Sequence, residues 1–171
     1  VGKSALDAVT TSSNNTAVGR SAGGAITTGS RNTAIGNDAL LATTTASHNT
    51  AIGDRALYSN TSGENVAVGM MSLYANTTGT QNSAVGRNAL GSNTTADNNT
   101  ALGHNALQAN TTGTQNVAVG SLALDAQTTH SNSTAVGYNA LTANTVSGNT
   151  AVGHQALQAN TTGAGNLAVG K

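Results

Sequence analysis

The chain has 171 residues, a formal net charge of zero, only 7% charged side chains, and no proline, cysteine, tryptophan or phenylalanine. A neutral, charge-poor surface argues against nucleic-acid and anionic-membrane partners, both of which select a basic face. A chain without cysteine has no disulfide framework, and no apolar run reaches the roughly 18 residues of a membrane span.

The elements come as one repeated unit. Its anchor is Asn-x-Ala-[Val/Ile/Leu]-Gly, with anchor glycines at Gly2, Gly19, Gly36, Gly53, Gly69, Gly86, Gly103, Gly120, Gly137, Gly153 and Gly170. The step is 17 residues, shortened to 16 between Gly53 and Gly69 and between Gly137 and Gly153. A short, regular period predicts a solenoid in which each repeat is one coil and stacks only on its neighbours. We read residues 1–171 as a single repeat domain, and the shared register of its two ends as that of an excerpt from a longer fibre.

Within each repeat, in chain order, an Asn comes first, with Ser133 the only exception, and suggests a turn and a side-chain ladder. An invariant alanine follows, at Ala17, Ala34, Ala51, Ala67, Ala84, Ala101, Ala118, Ala135, Ala151 and Ala168. The next residue is always aliphatic, from Val18 to Val169. Neighbours on a strand face opposite ways, so this strand is apolar on both faces. We expect the aliphatic side chains to fill the coil and the methyl-only alanine column to pack against other copies of the chain. The thin, alanine-rich core points the same way, toward a homo-oligomer.

After the glycine comes the most variable stripe, and with it the candidate recognition residues: Arg20, Asp54, Arg55, Met70, Met71, Arg87, His104, Leu122, Tyr138 and His154. An Ala-Leu pair follows in most repeats; Ala22-Gly23 lacks the leucine, which predicts a local weakness. A Thr column eight residues after the glycine suits a strand and a hydroxyl ladder. Both one-residue deletions fall in the loose Gly/Ser/Asn stretch that closes the repeat, as a surface turn allows. Helix is disfavoured by the glycines and Thr pairs, and a hairpin meander by the absence of Asn-Gly and Asp-Gly turns. The expected fold is all-β: a parallel β-solenoid, or β-roll, of about ten coils.

Catalytic signals are sparse. The four histidines do not share adjacent rungs of a column, the carboxylates are scattered, and no calcium-binding Gly-Gly-x-Gly-x-Asp phrase occurs. We therefore expect no enzyme, no metal and no cofactor. Asp38 and Arg55 are placed for a cross-coil ion pair, and Asn60, Asn76, Asn93, Asn110 and Asn160 head Asn-x-Ser/Thr triplets that follow from the repeat itself.

The phrase Asn116-Val-Ala-Val-Gly-Ser-Leu-Ala123 resembles the head repeat of trimeric autotransporter adhesins of the YadA type. The longer phrase Asn-Thr-Ala-Val-Gly-x-x-Ala-Leu-x-x-Asn-Thr-Thr-Gly resembles repeats of phage tail fibres and related bacterial surface fibres. The resemblance covers the whole chain, although the adhesin repeat is shorter. It implies a left-handed β-roll, an intertwined homotrimer, an extracellular place on a cell surface or virion fibre, and attachment to a surface receptor, with no membrane insertion by this segment. The alternatives are an ice-binding β-solenoid, suggested by the Thr columns, and a left-handed β-helix acyltransferase. The adjacent Thr-Thr pair points to opposite faces, which counts against a flat ice-binding array. The acyltransferase needs a six-residue aliphatic period, which the chain lacks.

Overall fold

The computed structural model describes all residues, Val1–Lys171. Ten three-residue strands stand one per coil: β1 (Thr16–Val18), β2 (Thr33–Ile35), β3 (Thr50–Ile52), β4 (Val66–Val68), β5 (Ser83–Val85), β6 (Thr100–Leu102), β7 (Val117–Val119), β8 (Thr134–Val136), β9 (Thr150–Val152) and β10 (Leu167–Val169). They form one parallel sheet in sequence order, and like pairs with like: Ala51 lies opposite Ala67, and Ile52 opposite Val68. The 16-residue step keeps this register, so its deletion is absorbed in the loop. The chain is a parallel β-solenoid of about nine turns with no helix.

The strands are only part of the ladder. Of 107 backbone hydrogen bonds, 18 lie within the strands, so coil-to-coil pairing is carried mainly by the turns. Left-handed residues make this work. Two residues after the anchor, Asp38 (φ 54°) turns its N–H back to Arg20 O of the preceding coil; two further on, Leu40 (φ 53°) turns its N–H forward to Ala56 O of the next. The same alternation recurs in coil after coil, so backbone donors in the turns find partners above and below. The anchor glycine is required twice over. Gly53 has φ +134°, and a Cβ there would lie 2.6 Å from the carbonyl carbon and oxygen of Gly69 one coil on.

The core differs from the expected one in a way that matters for function. The invariant alanine, not its aliphatic neighbour, points inward: from Ala34 to Ala151 the column is at most 1% exposed. Opposite it sit the Ala-Leu pairs, with Leu40, Leu57, Leu73, Leu90, Leu107, Leu124 and Leu141 fully buried. The leucines fill the narrow interior, and the strand facing them has room for a methyl group only. The aliphatic residue is left on the outside.

The interior is also lined with amides. The Asn before each strand is buried from Asn32 to Asn149, and a second Asn column, seven residues after the anchor, is buried at Asn60, Asn76, Asn93, Asn110 and Asn144. Each forms a ladder. In the first, the backbone N–H of Asn82 donates to Asn65 Oδ1 (3.0 Å), and that of Asn99 to Asn82 Oδ1 (3.0 Å). In the second, Asn93 Nδ2 donates to Asn76 Oδ1 (2.8 Å) and Asn110 Nδ2 to Asn93 Oδ1 (2.9 Å). Asn60, Asn76, Asn93 and Asn110, each heading an Asn-x-Ser/Thr triplet, are buried rungs, and their burial closes them to glycan attachment in the folded chain. The Thr column forms an outer ladder in which, for example, Thr77 Oγ1 donates to Thr94 O (3.0 Å).

The expected weakness at Ala22-Gly23 is repaired within the coil. Ile26 replaces the second-column asparagine and is fully buried. A Cβ on Gly23 would come 2.9 Å from Ile26 Cδ1 and 3.1 Å from Leu6 Cδ2, so the isoleucine occupies the leucine's space.

Candidate functional site

Two long surfaces are available for recognition, and both follow from the strand's alternation. The first is the outer face of the sheet. Each strand from β1 to β9 shows one buried residue between two that are exposed or half-buried, so both the first and third residues point out. The third is the aliphatic column: Val18, Ile35, Ile52, Val85, Leu102, Val136 and Val152 are 36–48% exposed, and Val68 and Val119 are half-buried. The first is Thr33, Thr50, Thr100, Thr134 or Thr150, with Val66, Ser83 and Val117 between them. The result is one outer face with an unbroken aliphatic column beside a Thr column that Val66, Ser83 and Val117 interrupt, about 43 Å long at roughly 4.8 Å per strand.

This corrects the expected oligomer-packing column. Ala17, Ala34, Ala51, Ala67, Ala84, Ala101, Ala118, Ala135 and Ala151 are buried inside the single chain, and Ala168, in the last coil, is half-buried. None of the buried ones can meet a partner. The uncovered apolar column is one residue further along, at the position expected to fill the core. The sequence leaves open which of the two apolar columns faces inward; the leucines that fill the interior decide it, because they leave the strand room for a methyl group only.

The second surface is the variable stripe just after the glycines. Arg20, Arg55, Met70, Arg87, His104, Tyr138 and His154 are exposed; Asp54, Met71 and Leu122 are half-buried. The structure brings these residues into one line but not into one cluster. At one end Arg20 Nε donates to Asn37 Oδ1 (2.7 Å) and its guanidinium pairs with Asp38 (3.2 Å), while Asn37 Nδ2 donates to Asp54 Oδ1 (3.0 Å). Asp38 therefore pairs with Arg20 of the preceding coil and not with Arg55, which makes no ion pair. Near the other end Tyr138 and His154 stack with ring centroids 5.4 Å apart. Between them, burial pushes the Asp125 carboxyl above its usual range, with the lesser pull of His104 in the other direction.

No three His, Asp or Glu side chains converge in space. A third feature escaped the sequence reading. Five residues after the anchor, Tyr58 and Tyr74 stack on successive coils, with centroids 5.2 Å apart and planes at 21°. The next rung of that column is Gly91, and below Tyr74 a notch of about 290 Å³ opens. The tyrosines were visible in the sequence, but the missing third ring has meaning only once the column is known to be a stack. No known protein-family model matches the chain, and no curated protein or solved structure does either.

Proposed function

We propose that the chain is a rigid segment of an extracellular attachment fibre, a bacterial surface adhesin or phage tail fibre, built from three left-handed copies. The observation that supports this is the outer sheet face. An in-register aliphatic column lines the outside of nine coils, seven of its residues 36–48% exposed, and a contiguous exposed apolar strip marks an interaction surface. Three copies mated through this face would bury Val, Ile and Leu against one another. The turns and the variable stripe would then face outward, toward whatever surface the fibre meets. The left-handed course and the trimer number rest on the sequence resemblance. Mechanically, register-locked ladders in each chain and an apolar seam between chains give a rod that resists proteolysis and holds a tip at a distance.

Sedimentation equilibrium tests the assembly. The expected result is a trimer that Val85→Asp with Leu102→Asp converts to monomer, with the β-rich circular dichroism retained. A wild-type chain that stays monomeric at tens of micromolar would end this reading.

A second reading is favoured by a specific feature of the same face. The first column of that face places Thr16, Thr33 and Thr50 outward on successive coils, with Thr100, Thr134 and Thr150 further along, which supports an ice-binding surface in a monomer. Thermal hysteresis separates the two readings: a monomer that halts ice growth favours ice binding, and a trimer without hysteresis favours the fibre.

A further inference from the structure

We infer that the notch beneath Tyr74 is a binding subsite for one neutral pyranose ring of a glycan, seated where the third ring of the tyrosine stack would lie. The site is formed within a single chain and does not depend on the assembly proposed above.

Backbone bonds hold the column in line. Ala75 N–H donates to Gly91 O (3.1 Å) and Ser92 N–H to Gln108 O (3.1 Å), so Tyr74, Gly91 and Gln108 are successive rungs. Tyr58 covers one face of the Tyr74 ring. The other face borders the open rung, where Gly91 contributes no side chain. A flat ring placed there finds an aromatic platform on one side and Gln108 on the other. The ring spacing already present in the stack, 5.2 Å, is close to one coil, so the gap is the height of one ring. Its volume of about 290 Å³ is at the lower edge of small-molecule sites, which suits a single ring and not an extended ligand.

The lining selects the chemistry. Met71 and Tyr74 supply the apolar floor, while Asn88, Ser92 and Gln108 supply amide and hydroxyl groups at the edge. No charged side chain lines the notch, so it offers nothing to an ionic ligand. The side chains of Asn88, Ser92 and Gln108 make no hydrogen bond within the chain, whereas the neighbouring Asn93 is tied into its ladder. Free amides around an aromatic face match a pyranose, which has C–H groups on its face and hydroxyls around its edge. An unsubstituted aromatic ring would use the floor and leave the amides idle.

The test is a titration of the ¹⁵N-labelled chain with the methyl glycosides of glucose, galactose, mannose and N-acetylglucosamine, up to about 50 mM, followed by amide shifts. The expected result is a saturable response to at least one glycoside at Gly91, Ser92 and Gln108. It should weaken at least tenfold in Tyr74→Ala, persist in Tyr74→Phe and in Tyr138→Ala, and vanish in Gly91→Tyr, which fills the notch. A Cβ at Gly91 would lie 3.2 Å from Asn88 O, which must give by a few tenths of an ångström; with amide shifts away from the notch unchanged from wild type, this last variant still decides the matter if Tyr74→Ala unfolds. No saturable shift with any glycoside, or shifts indifferent to Gly91→Tyr, would overturn the proposal. So would saturation by p-cresol with no response to the glycosides, which would make the notch a seat for an aromatic side chain.

Discussion

Replacing Asn93 by alanine removes one rung from the buried amide ladder in the middle of the solenoid, where end fraying cannot mask the effect. Asn93 Nδ2 donates to Asn76 Oδ1 (2.8 Å) and to Ala96 O (3.1 Å), and its Oδ1 accepts from Asn110 Nδ2 (2.9 Å). Two of these partners survive the loss: Ala96 O keeps Asn82 Nδ2 (2.7 Å), and Asn110 Nδ2 keeps Gly113 O (3.0 Å). Asn76 Oδ1 has no other donor and is left unpaired in a fully buried residue. An orphaned buried acceptor costs about 1–3 kcal/mol, and the two weakened partners add roughly 1 kcal/mol, so the variant should lose about 2–4 kcal/mol. With a urea slope of about 2 kcal/mol per molar, the midpoint falls by about 1–2 M. Asn76→Ala alone is milder, because Asn60 Oδ1 keeps Ser62 Oγ (3.1 Å) and Asn65 Nδ2 (3.4 Å). In the double variant the orphan no longer exists, so the two losses should fall short of their sum by about 1–2 kcal/mol. Strict additivity, or a loss below about 1 kcal/mol for Asn93→Ala, would show that water enters the coil and pairs the amides, and would refute the ladder as a source of stability.

Three further outcomes follow from named positions. The coil of Gly120 carries Gln127 and Ser133 where its neighbours carry asparagine; Gln127 Nε2 donates to His130 O (2.8 Å), leaving Asn110 Oδ1 without a donor. Gln127→Asn and Ser133→Asn should restore both ladders and raise stability by about 0.5–1.5 kcal/mol each in urea denaturation. Gly23→Leu alone should destabilise, because its side chain collides with Ile26, whereas Gly23→Leu with Ile26→Asn, which restores the common pattern, should recover most of the loss in melting temperature. Asp125 has a folded pKa raised by burial, so it favours the fold fully only below its unfolded value and that contribution is lost as pH rises through the folded value. The melting temperature of Asp125→Asn should therefore exceed wild type at pH 7, with the gap shrinking as pH falls through the raised folded value and closed once pH is below the unfolded value of about 4.

The sequence by itself determined the architecture. A period fixed by the anchor glycines, the strand at each anchor, parallel pairing of like with like, the tolerance of one-residue deletions in the outer loop and the stacking of Asn and Thr columns are all local or periodic properties. Repetition made them legible, because every coil poses the same packing problem. The variable stripe was legible too, since a solvent-facing column outside the packed interior tolerates wide variation. Which of two adjacent apolar columns faces inward was not. A strand that alternates alanine with valine gives two apolar faces, and periodicity is blind to the choice between them. Only the closed cross-section decides it: the leucines four residues after each anchor occupy the interior, as Leu57 and Leu90 do at zero exposure, and leave the strand room for a methyl. The same closure made a buried ladder of the second asparagine column, which the sequence showed only as Asn-x-Ser/Thr triplets, and let Ile26 stand in for a leucine three residues away. It also made the absence of a side chain at Gly91 into a notch beneath a tyrosine stack. Distances across a coil depend on how the turns fold back, and that information lies between columns, not within any one of them.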